Sequence, residues 1–401
     1  MADLELSWAV ALAAHDRASE HFWSLMEDRS VRFLPQQLAP MFFSTLGQMV
    51  AGRGDAAARF AALSVLGRMH RRLGMYPYHG TVVAAAMVDT LRRFGGASWE
   101  PDLTGYWEAG CRRVLRLAER AAGALGDGPH VTVAEVLHCE AVSDDVAILT
   151  VRPARRDCSL PGQAMPVCTP RVAGQWRWLS PANRARADDT LEFHVRAVAE
   201  GLVSSVLVER VTPGEVLWLG PALDVGLSLE RAGSADLLLA AGGTGLAPLR
   251  ALVEQVAAST TKRRVTLVVG ARALPDLYDA VALNKLQQAH GDWLTVVLAF
   301  SDDRDVEPAS QGDLLSVALC HYKPGQAVYV CGAPPLIEAA RQRLPMVGVP
   351  SESLHLAATF WHAPSSARWT PRQRVARAAA SEVASSAAGN SSASPTVSDA
   401  T

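Results

Sequence analysis

The stretch that decides the fold is Leu237-Leu-Leu-Ala-Ala-Gly-Gly-Thr-Gly-Leu-Ala-Pro248. Its opening apolar run is typical of a buried strand, and the glycines and proline after it are typical of a turn into a helix. Glycines let the backbone approach a pyrophosphate closely, and a helix N-terminus offers free N–H groups and the positive end of a dipole. The pattern predicts a dinucleotide site, with a tight structural turn as the alternative. Its residues are Gly243, Thr244, Gly245 and Pro248.

From residue 234 onward, the chain around this motif alternates apolar runs with helical segments. The predicted strands are Leu237–Ala241, Val265–Val269, Leu294–Phe300 and Ala327–Cys331. The predicted helices start at Pro248 and then span Ala282–Gln288, Leu314–Leu319 and Leu336–Leu344. Strands that alternate with helices imply a doubly wound parallel sheet, so we assign residues 234–363 to an α/β NAD(P)-binding domain.

Two further residues follow predicted strands of this sheet, at the edge where open α/β sheets bind ligands. Cys331 ends the last strand, so it can lie beside a nicotinamide, or it can be a buried structural cysteine. Arg272 follows the second strand, where an acidic ribose ligand is usual, and it either meets an adenosine phosphate or is solvated. The choice between NADH and NADPH therefore stays open.

Residues 127–233 have the pattern of an antiparallel β-barrel. Val131–Cys139, Val146–Val151 and Leu191–Arg196 alternate apolar and polar side chains, and prolines and glycines punctuate the segment. In the third of these strands, one face carries Leu191, Phe193 and Val195, and the other carries Glu192, His194 and Arg196. A glycine-rich linker, residues 121–129, precedes this small barrel.

Two short stretches of this barrel are candidate sites for a second nucleotide. In Gln175-Trp-Arg-Trp-Leu-Ser180, Arg177 can pair with a phosphate and either tryptophan can stack on a planar ring. The alternative for this stretch is a strand with packed tryptophans. In Glu200-Gly-Leu-Val-Ser-Ser205, Ser204 can cap a short helix, and the amides there can hold a pyrophosphate.

The first 126 residues are predicted to be helical, because apolar positions recur at spacings of three and four and no alternation appears. The predicted helices are Leu6–Ala13, Ala18–Met26, Pro40–Val50, Ala56–Leu73, Val82–Phe94 and Tyr106–Leu125. In the fourth helix, His70 lies on one apolar stripe with Leu63 and Leu66, so its imidazole points inward. A histidine there is either a hydrogen-bonded core residue or a haem-iron ligand.

Composition limits the remaining possibilities. The 401 residues are 49% hydrophobic and carry a net charge of −2, which excludes global disorder and gives no bulk attraction to nucleic acid. No apolar run reaches the roughly 20 residues of a membrane span, and the N-terminus is acidic rather than basic. None of the six cysteines has CxxC spacing. We therefore expect a cytoplasmic protein with free thiols, and a disordered tail at residues 364–401.

Together these motifs resemble a flavohaemoglobin, which is a globin followed by FAD and NAD(P) domains of the ferredoxin-reductase type. The resemblance covers about residues 1–363 and rests on Pro161-Gly-Gln163, Arg177-Trp-Leu-Ser180, Gly201-Leu-Val-Ser204 and Cys331-Gly-Ala-Pro334. It implies an FAD site and a longer nicotinamide site. The implied residues are Gln163, Arg177, Ser180, Gly201, Val203 and Ser204 for FAD, and Cys331, Gly332 and Pro334 for the nicotinamide.

In the helical part, Met69-His-Arg-Arg-Leu-Gly-Met-Tyr-Pro77 resembles the family stretch that carries the proximal haem ligand, which maps to His70. The distal tyrosine of the family corresponds to Trp23, and no proximal glutamate is evident. The flavin-contacting tyrosine corresponds to Leu179, and Phe360 is an aromatic residue that can cover the flavin. Weaker hydrogen bonding around the histidine would raise the iron potential.

The resemblance implies an electron-transfer enzyme that uses FAD, haem b and NADH or NADPH. It further implies that haem held by His70 binds oxygen and that the net reaction is nitric oxide dioxygenation. A second hypothesis keeps the FAD/NAD(P)H reductase but gives it another electron acceptor or donor, with a divergent or haem-free helical domain. A third is a non-enzymatic globin-type sensor or interaction protein. The oligomeric state stays open.

Overall fold

The computed structural model describes residues 2–29, 31, 33–76, 78–95, 99–124, 130–198, 201–260, 263–303 and 305–357. The predicted tail at 364–401 lies outside these residues, as do Phe360 and the end of the predicted linker. Within the described ranges, no helix is both long enough and apolar enough to cross a membrane.

The N-terminal part is helical, as predicted. Its helices are α1 (Ala2–Ala13), α2 (His15–Asp28), α3 (Ala39–Val50), α4 (Ala56–Leu73), α5 (His79–Gly95) and α6 (Pro101–Ala124). The bounds of α4 match the prediction because both of its ends carry clear signals. Asp55 accepts a hydrogen bond from the Ala58 N–H at 2.8 Å, and Gly74 ends the helix in a left-handed conformation with a φ of 67°.

One hydrophobic core fills the helical part and continues into the next domain. Its fully buried side chains include Trp8, Phe22 and Trp107. The same cluster contains Trp176 and Trp218, which belong to the barrel. The helices and the barrel are therefore joined by shared apolar packing, which removes both surfaces from water.

The middle of the chain forms the predicted antiparallel barrel. Its elements are β1 (Thr132–Ser143), β2 (Val146–Pro153), β3 (Gln163–Cys168), β4 (Arg177–Leu179), β5 (Leu191–Arg196), α7 (Leu202–Glu209), β6 (Val216–Leu219) and β7 (Leu223–Asp224). The strand order is β4-β3-β6-β1-β2-β5, and an antiparallel bridge between Pro181 and Phe193 joins the two ends. Leu191, Phe193 and Val195 face the barrel core, as predicted.

Strand β3 shows no alternation in the sequence because both of its faces are covered. Met165 and Val167 pack in the barrel core, whereas Cys168 packs in the core of the helical part. A strand that is buried on both faces has a continuous apolar run, which periodicity cannot distinguish from other buried segments.

The C-terminal domain is the predicted doubly wound sheet. Its parallel strands are β8 (Leu237–Gly242), β9 (Val265–Ala271), β10 (Leu294–Phe300), β11 (Ala327–Cys331) and β12 (Leu354–Leu356). Helices α8 (Leu246–Ala258) and α9 (Ala280–His290) cover one face, and α10 (Leu314–Cys320) and α11 (Pro334–Met346) cover the other. The strand order is β10-β9-β8-β11-β12, so the winding reverses between β8 and β11. Ligands of such sheets bind at this switch point.

Candidate functional site

A cavity of about 220 Å³ lies where the helical part, the barrel and the parallel sheet meet. The barrel contributes Arg177, Trp178 and Ser180, and the parallel sheet contributes Cys331 and Gly332. The other lining residues are Asp55, Ala57, Ala58, Ala164, Trp176, Val225, Leu227, Pro334 and Ala357. Complete small-molecule sites usually exceed roughly 300 Å³, so this cavity suits the ring portion of a cofactor. The fold thus joins predicted flavin and nicotinamide residues that are far apart in the sequence.

Arg177 and Ser180 are available to a ligand in this cavity. Both side chains are half-buried, and Arg177 lies on β4 opposite Val167 of β3. Within the described part of the chain, neither the Arg177 guanidinium nor the Ser180 hydroxyl has a hydrogen-bond or ion-pair partner. A partly desolvated guanidinium without an anion is unfavourable. The pair therefore fits a flavin nucleotide, whose phosphates and ring edge would supply the missing partners.

The two tryptophans beside Arg177 are both held in place by the helical part. The indole N–H of Trp176 donates to Thr45 Oγ1 at 3.0 Å, and that of Trp178 donates to the Ala57 carbonyl oxygen at 3.1 Å. The Trp178 ring also stacks on Phe60, with centroids 5.6 Å apart. The alternative of a strand with packed tryptophans therefore describes this stretch, and these contacts fix the wall of the cavity.

The predicted dinucleotide loop lies beside the cavity. Gly243–Gly245 forms a 3₁₀ turn between β8 and α8, with Thr244 half-buried at its centre and Pro248 in the first turn of α8. A β-carbon on Gly245 would lie 2.3 Å from the Cys331 carbonyl oxygen, so only glycine allows this approach of the two loops. The loop and the Cys331–Pro334 segment therefore form the two sides of one crevice.

Cys331 ends β11 at the crevice, as predicted. Burial raises the pKa of its thiol to about 12, although the hydrogen bond with the Gly332 backbone acts in the opposite direction. The thiol is therefore protonated at neutral pH and is a poor nucleophile. Its place in the lining suits contact with a ring, and its role in hydride transfer stays a prediction.

Arg196 is a site residue that the sequence analysis missed. It ends β5, where it forms an ion pair with Asp145. Its Nε would lie 3.9 Å from a β-carbon placed on Gly243, so the guanidinium stands over the dinucleotide loop. Arg196 belongs to the polar face of β5, but a polar face of this kind usually indicates contact with solvent and not with a ligand.

The other predicted FAD residues lie near the start of α7 and of β3. Gly201 is the N-cap residue of α7, and the Ser204 hydroxyl donates to the Gly201 carbonyl at 3.0 Å and accepts from the Val198 N–H at 3.2 Å. Ser204 therefore closes this turn, and Val203 is buried behind it. The Gln163 side-chain oxygen likewise closes a turn by accepting from the Leu160 N–H at 2.9 Å. Phosphate contacts by Gly201, Val203, Ser204 and Gln163 stay predictions.

Arg272 is exposed directly after β9. It pairs with Asp276 at 3.1 Å, one helical turn further along the chain. An exposed pair of this kind contributes little to stability, so the side chain is free to turn toward a ligand.

His70 lies at the C-terminal end of α4 and is half-buried. Burial lowers the pKa of its imidazole, and the nearby carboxylate of Glu119 on α6 acts against this shift. A neutral imidazole with a carboxylate neighbour is the arrangement that binds metal ions, including haem iron. Glu119 is thus a candidate acidic neighbour that was not evident in the sequence, because it comes from a helix that is distant along the chain.

Trp23 does not complete this arrangement. Its indole N–H donates to the Leu34 carbonyl oxygen at 3.2 Å. An indole has one donor and no acceptor, so the side chain has no further hydrogen bond for a ligand on iron. Trp23 therefore does not reproduce the family's distal hydrogen bond, and haem binding at His70 stays a prediction.

Comparison with known domain families agrees with the two nucleotide sites. Residues 133–222 match the oxidoreductase FAD-binding domain, and residues 239–342 match the oxidoreductase NAD-binding domain. The chain contains an FAD-binding domain and an NAD-binding domain. Neither match reaches into the helical part.

The similar curated proteins are reductase components. The chain is 32% identical over 181 residues to the ferredoxin–NAD(P)⁺ reductase component of the naphthalene 1,2-dioxygenase system of Pseudomonas putida, covering 43% of this chain and 53% of that protein. It is 30% identical over 184 residues to the phenol 2-monooxygenase reductase component of a Pseudomonas species, covering 45% and 51%. The chain thus spans about half the length of these relatives.

Solved structures extend the likeness in fold. An Amycolatopsis cytochrome P450 reductase matches with a TM-score of 0.51 and 27% identity, over 57% of this chain and 69% of that one. A flavohaemoglobin from Malassezia yamatoensis, with bound FAD and haem, matches with a TM-score of 0.52 and 16% identity, over 89% and 99%. The second likeness is one of fold alone, and the globin identity of the helical part stays a prediction.

Proposed function

We propose that this protein is an NAD(P)H-dependent flavin oxidoreductase that passes electrons to a separate acceptor group. One observation supports this most strongly. The cavity places Arg177 and Ser180 of the FAD-binding domain, whose side chains have no polar partner among the described residues, against the Cys331–Pro334 segment of the NAD-binding domain. A site that holds a flavin ring beside a nicotinamide needs this juxtaposition.

The chain's own residues supply binding and orientation. FAD, when bound, accepts a hydride from NAD(P)H and releases the electrons to an acceptor. Arg177 and Ser180 would hold the flavin nucleotide, and the 3₁₀ turn at Gly243–Gly245 with the start of α8 would hold the dinucleotide phosphates. Trp178 and Leu227 give the cavity apolar walls that exclude water from the ring.

The acceptor follows from what the relatives are named for. The two curated relatives described above are named as reductase components of a dioxygenase and a monooxygenase, so we propose that this chain is an electron-supplying component as well. The helical part would then be either a cofactor-bearing acceptor or a module that docks one. Its first turn of α4 lines the cavity through Asp55, Ala57 and Ala58, so it is in place to take part in electron exit.

The binding step is tested by FAD titration of the flavin-free protein. We expect Arg177→Ala to weaken FAD binding by roughly 10- to 100-fold, because a charge-assisted hydrogen bond contributes roughly 1.5–3 kcal/mol. Arg156→Ala is the matched control, since this exposed barrel arginine pairs only loosely with Asp189, at 3.5 Å. Equal FAD affinity in the two variants would contradict the assignment of Arg177.

The arrangement of His70 and Glu119 supports a second candidate function, in which haem occupies the helical part and the net reaction is nitric oxide dioxygenation. Haem, when bound, would supply an oxygen-binding iron. His70 would hold the iron, and the negative charge of Glu119 would favour that bond. Trp23 has no further hydrogen bond to give, which argues for weaker stabilisation of bound oxygen than a distal tyrosine would provide.

Reconstitution with haemin tests this second candidate. We expect a Soret band in the wild-type protein and its loss in His70→Ala, with FAD binding unchanged. His79→Ala is the control, because this buried imidazole also neighbours His70, but its Nδ1 already accepts the Tyr76 N–H at 3.0 Å. No Soret band in the wild-type protein would contradict a haem-bearing helical part and leave the reductase. A Soret band without oxygen-dependent nitric oxide consumption would favour another acceptor chemistry.

A further inference from the structure

A buried set of charged side chains joins the barrel to the parallel sheet, apart from the cavity. This interdomain cluster consists of Glu192 and His194 on β5, Arg250 on α8, and Tyr278 and Asp279 before α9. Arg250 Nη1 lies 2.8 Å from Glu192 Oε1 and 3.1 Å from Asp279 Oδ2. The guanidinium therefore binds one carboxylate of each domain at once.

A hydrogen-bonded chain runs across the same interface. His194 Nδ1 lies 2.8 Å from the Tyr278 hydroxyl, and His194 Nε2 lies 3.0 Å from Glu192 Oε1. The Nε2–H donates to the Glu192 carboxylate, and Nδ1 shares a hydrogen bond with the Tyr278 hydroxyl. The His194 ring therefore links Tyr278 of the sheet domain to Glu192 of the barrel.

The cluster is shielded from water. The His194 side chain is fully buried, and the side chains of Glu192, Arg250 and Asp279 are 12%, 13% and 7% exposed. Arg186 at the rim, 3.2 Å from Glu192, adds a second cation. Buried ion pairs contribute little net stability compared with apolar packing, but they are favourable in one geometry only. The arrangement thus specifies how the two domains are oriented.

The place of the cluster in the fold connects it to the nucleotide crevice. Glu192, His194 and Arg196 are alternate residues of β5, so all three side chains lie on its outer face, toward the sheet domain. Arg196 stands over Gly243 in the dinucleotide loop. Arg250 lies about one turn after the start of α8, the helix whose first residues follow that loop. The outer face of β5 therefore lies against the loop through Arg196 and is ion-paired with the early part of α8 through Arg250.

We propose that Glu192, His194 and Arg250 are positioning residues that set the nicotinamide-binding loop against the flavin cavity. This proposal rests on the proposed reductase function. Arg250 does not line the cavity, so it would act through α8, and its loss would leave both cofactors bound but misplaced. Small displacements of reacting groups can cost roughly 100-fold in rate.

The test compares Arg250→Met, which keeps an unbranched apolar stem without the charge, with Arg250→Lys. Flavin reduction by NADH is followed by anaerobic stopped-flow in the FAD-loaded protein, at rising NADH concentrations. We expect the limiting rate constant of Arg250→Met to fall by roughly 10- to 100-fold while the apparent Kd for NADH changes less than threefold. Arg250→Lys should recover part of the rate, because it restores the positive charge without the two-sided contact.

A readout without cofactors separates positioning from binding. Hydrogen exchange of the flavin-free protein should show faster exchange in α8 and β5 for Arg250→Met, with unchanged protection in α4 and β8. Arg343→Met is the matched control, since Arg343 pairs with Asp313 at 2.8 Å on the exposed surface of the sheet domain. If Arg250→Met fails to fold, Glu192→Gln on the barrel side carries the same two measurements.

Each outcome decides the proposal. A lower limiting rate with faster α8 exchange supports it. A wild-type limiting rate, or a rate loss in which NADH binding falls by the same factor, overturns it. An effect of equal size in Arg343→Met also overturns it, because that pair does not cross the interface. If the wild-type protein itself is not reduced by NADH or NADPH, the proposed function fails, and that result is visible before any variant is compared.

Discussion

The barrel has two interfaces that are built in opposite ways. Toward the helical part it presents tryptophans, with Trp176 fully buried and Trp178 stacked on Phe60. The backbones come so close there that a β-carbon on Gly174 would lie 2.4 Å from the Ser44 carbonyl oxygen. Toward the parallel sheet it presents Glu192, which pairs with Arg250, and His194, which hydrogen-bonds the Tyr278 hydroxyl.

The two interfaces have different physical roles. Apolar burial is strong and non-directional, so the helical part and the barrel behave as one packed body. Buried ion pairs add little net stability but penalise every orientation except one. Apolar burial therefore supplies the stability of the contact between the barrel and the helices, whereas the ion pairs fix the orientation of the nucleotide-binding sheet. A fixed orientation suits a reaction between two bound cofactors.

The largest expected effect is at the apolar interface. Trp176→Ala should lower the free energy of unfolding by about 4 kcal/mol, because it removes a fully buried indole and leaves a cavity. Trp176→Phe should cost only about 1–2 kcal/mol, since it mainly removes the hydrogen bond to Thr45. Urea unfolding followed by circular dichroism measures both. A loss below about 1 kcal/mol for Trp176→Ala would contradict the shared core.

The charged interface should respond to truncation almost as strongly. Arg250→Met leaves the carboxylates of Glu192 and Asp279 buried without their common partner, so we expect a loss of about 3 kcal/mol in the free energy of unfolding. Adding Glu192→Gln to this variant should cost less than the sum of the single changes, because the double variant removes one of the unpaired charges. Additive losses would show that the two residues do not interact.

Acid should weaken the charged interface before the apolar one. Burial opposes ionisation of Glu192, but the hydrogen bond from His194 and the charge of Arg250 outweigh it and lower its pKa to about 2. A lowered carboxyl pKa contributes stability that is full above the ordinary value near 4.5 and is lost as the pH falls toward 2. The stability gap between wild type and Glu192→Gln should therefore shrink by about 2 kcal/mol from pH 7 to pH 3.

Urea titrations of both proteins across this pH range give the gap directly. Trp176→Phe is the comparison variant, since its loss involves no titrating group and should stay constant with pH. A gap for Glu192→Gln that does not change between pH 7 and pH 3 would contradict the lowered pKa.

The smallest effect is expected at the exposed surface of the sheet domain. Arg343→Met breaks a pair with Asp313 in which both side chains are about half exposed, at 42% and 52%. Solvent screens such a pair, so the free energy of unfolding should fall by less than about 1 kcal/mol. Thermal unfolding of this variant and of Arg250→Met compares their losses in the free energy of unfolding. Equal losses would contradict the expected difference between the exposed pair and the buried pair.

The sequence predicted the folds of the two nucleotide-binding domains well, because local signals are strong there. The predicted bounds of β5 and β10 are identical to the bounds in the structure. Gly243 and Gly245 lie at the edge where a parallel sheet of this kind binds ligands. Asp55 and Gly74 fixed the ends of α4. In each case one short stretch carries both the propensity and the stop signal.

The interfaces were not predictable in the same way. Glu192, His194 and Arg196 alternate as a solvent-facing set would, but the docking of the sheet domain covers Glu192 and His194. The tryptophans beside Arg177 were equally compatible with a ligand ring and with packing. Glu119 approaches His70 from another helix. Periodicity reports which face of an element is apolar, but it does not report what covers a polar face.

We propose above all that a flavin in the cavity receives electrons from a nicotinamide held at the neighbouring loop. The most direct measurement is an anaerobic titration of the FAD-loaded protein with NADH and with NADPH, followed by flavin absorbance. We expect one equivalent of at least one of these donors to bleach the flavin absorbance completely. In Arg250→Met the same bleaching should be reached more slowly. A bound flavin that neither donor reduces would contradict it.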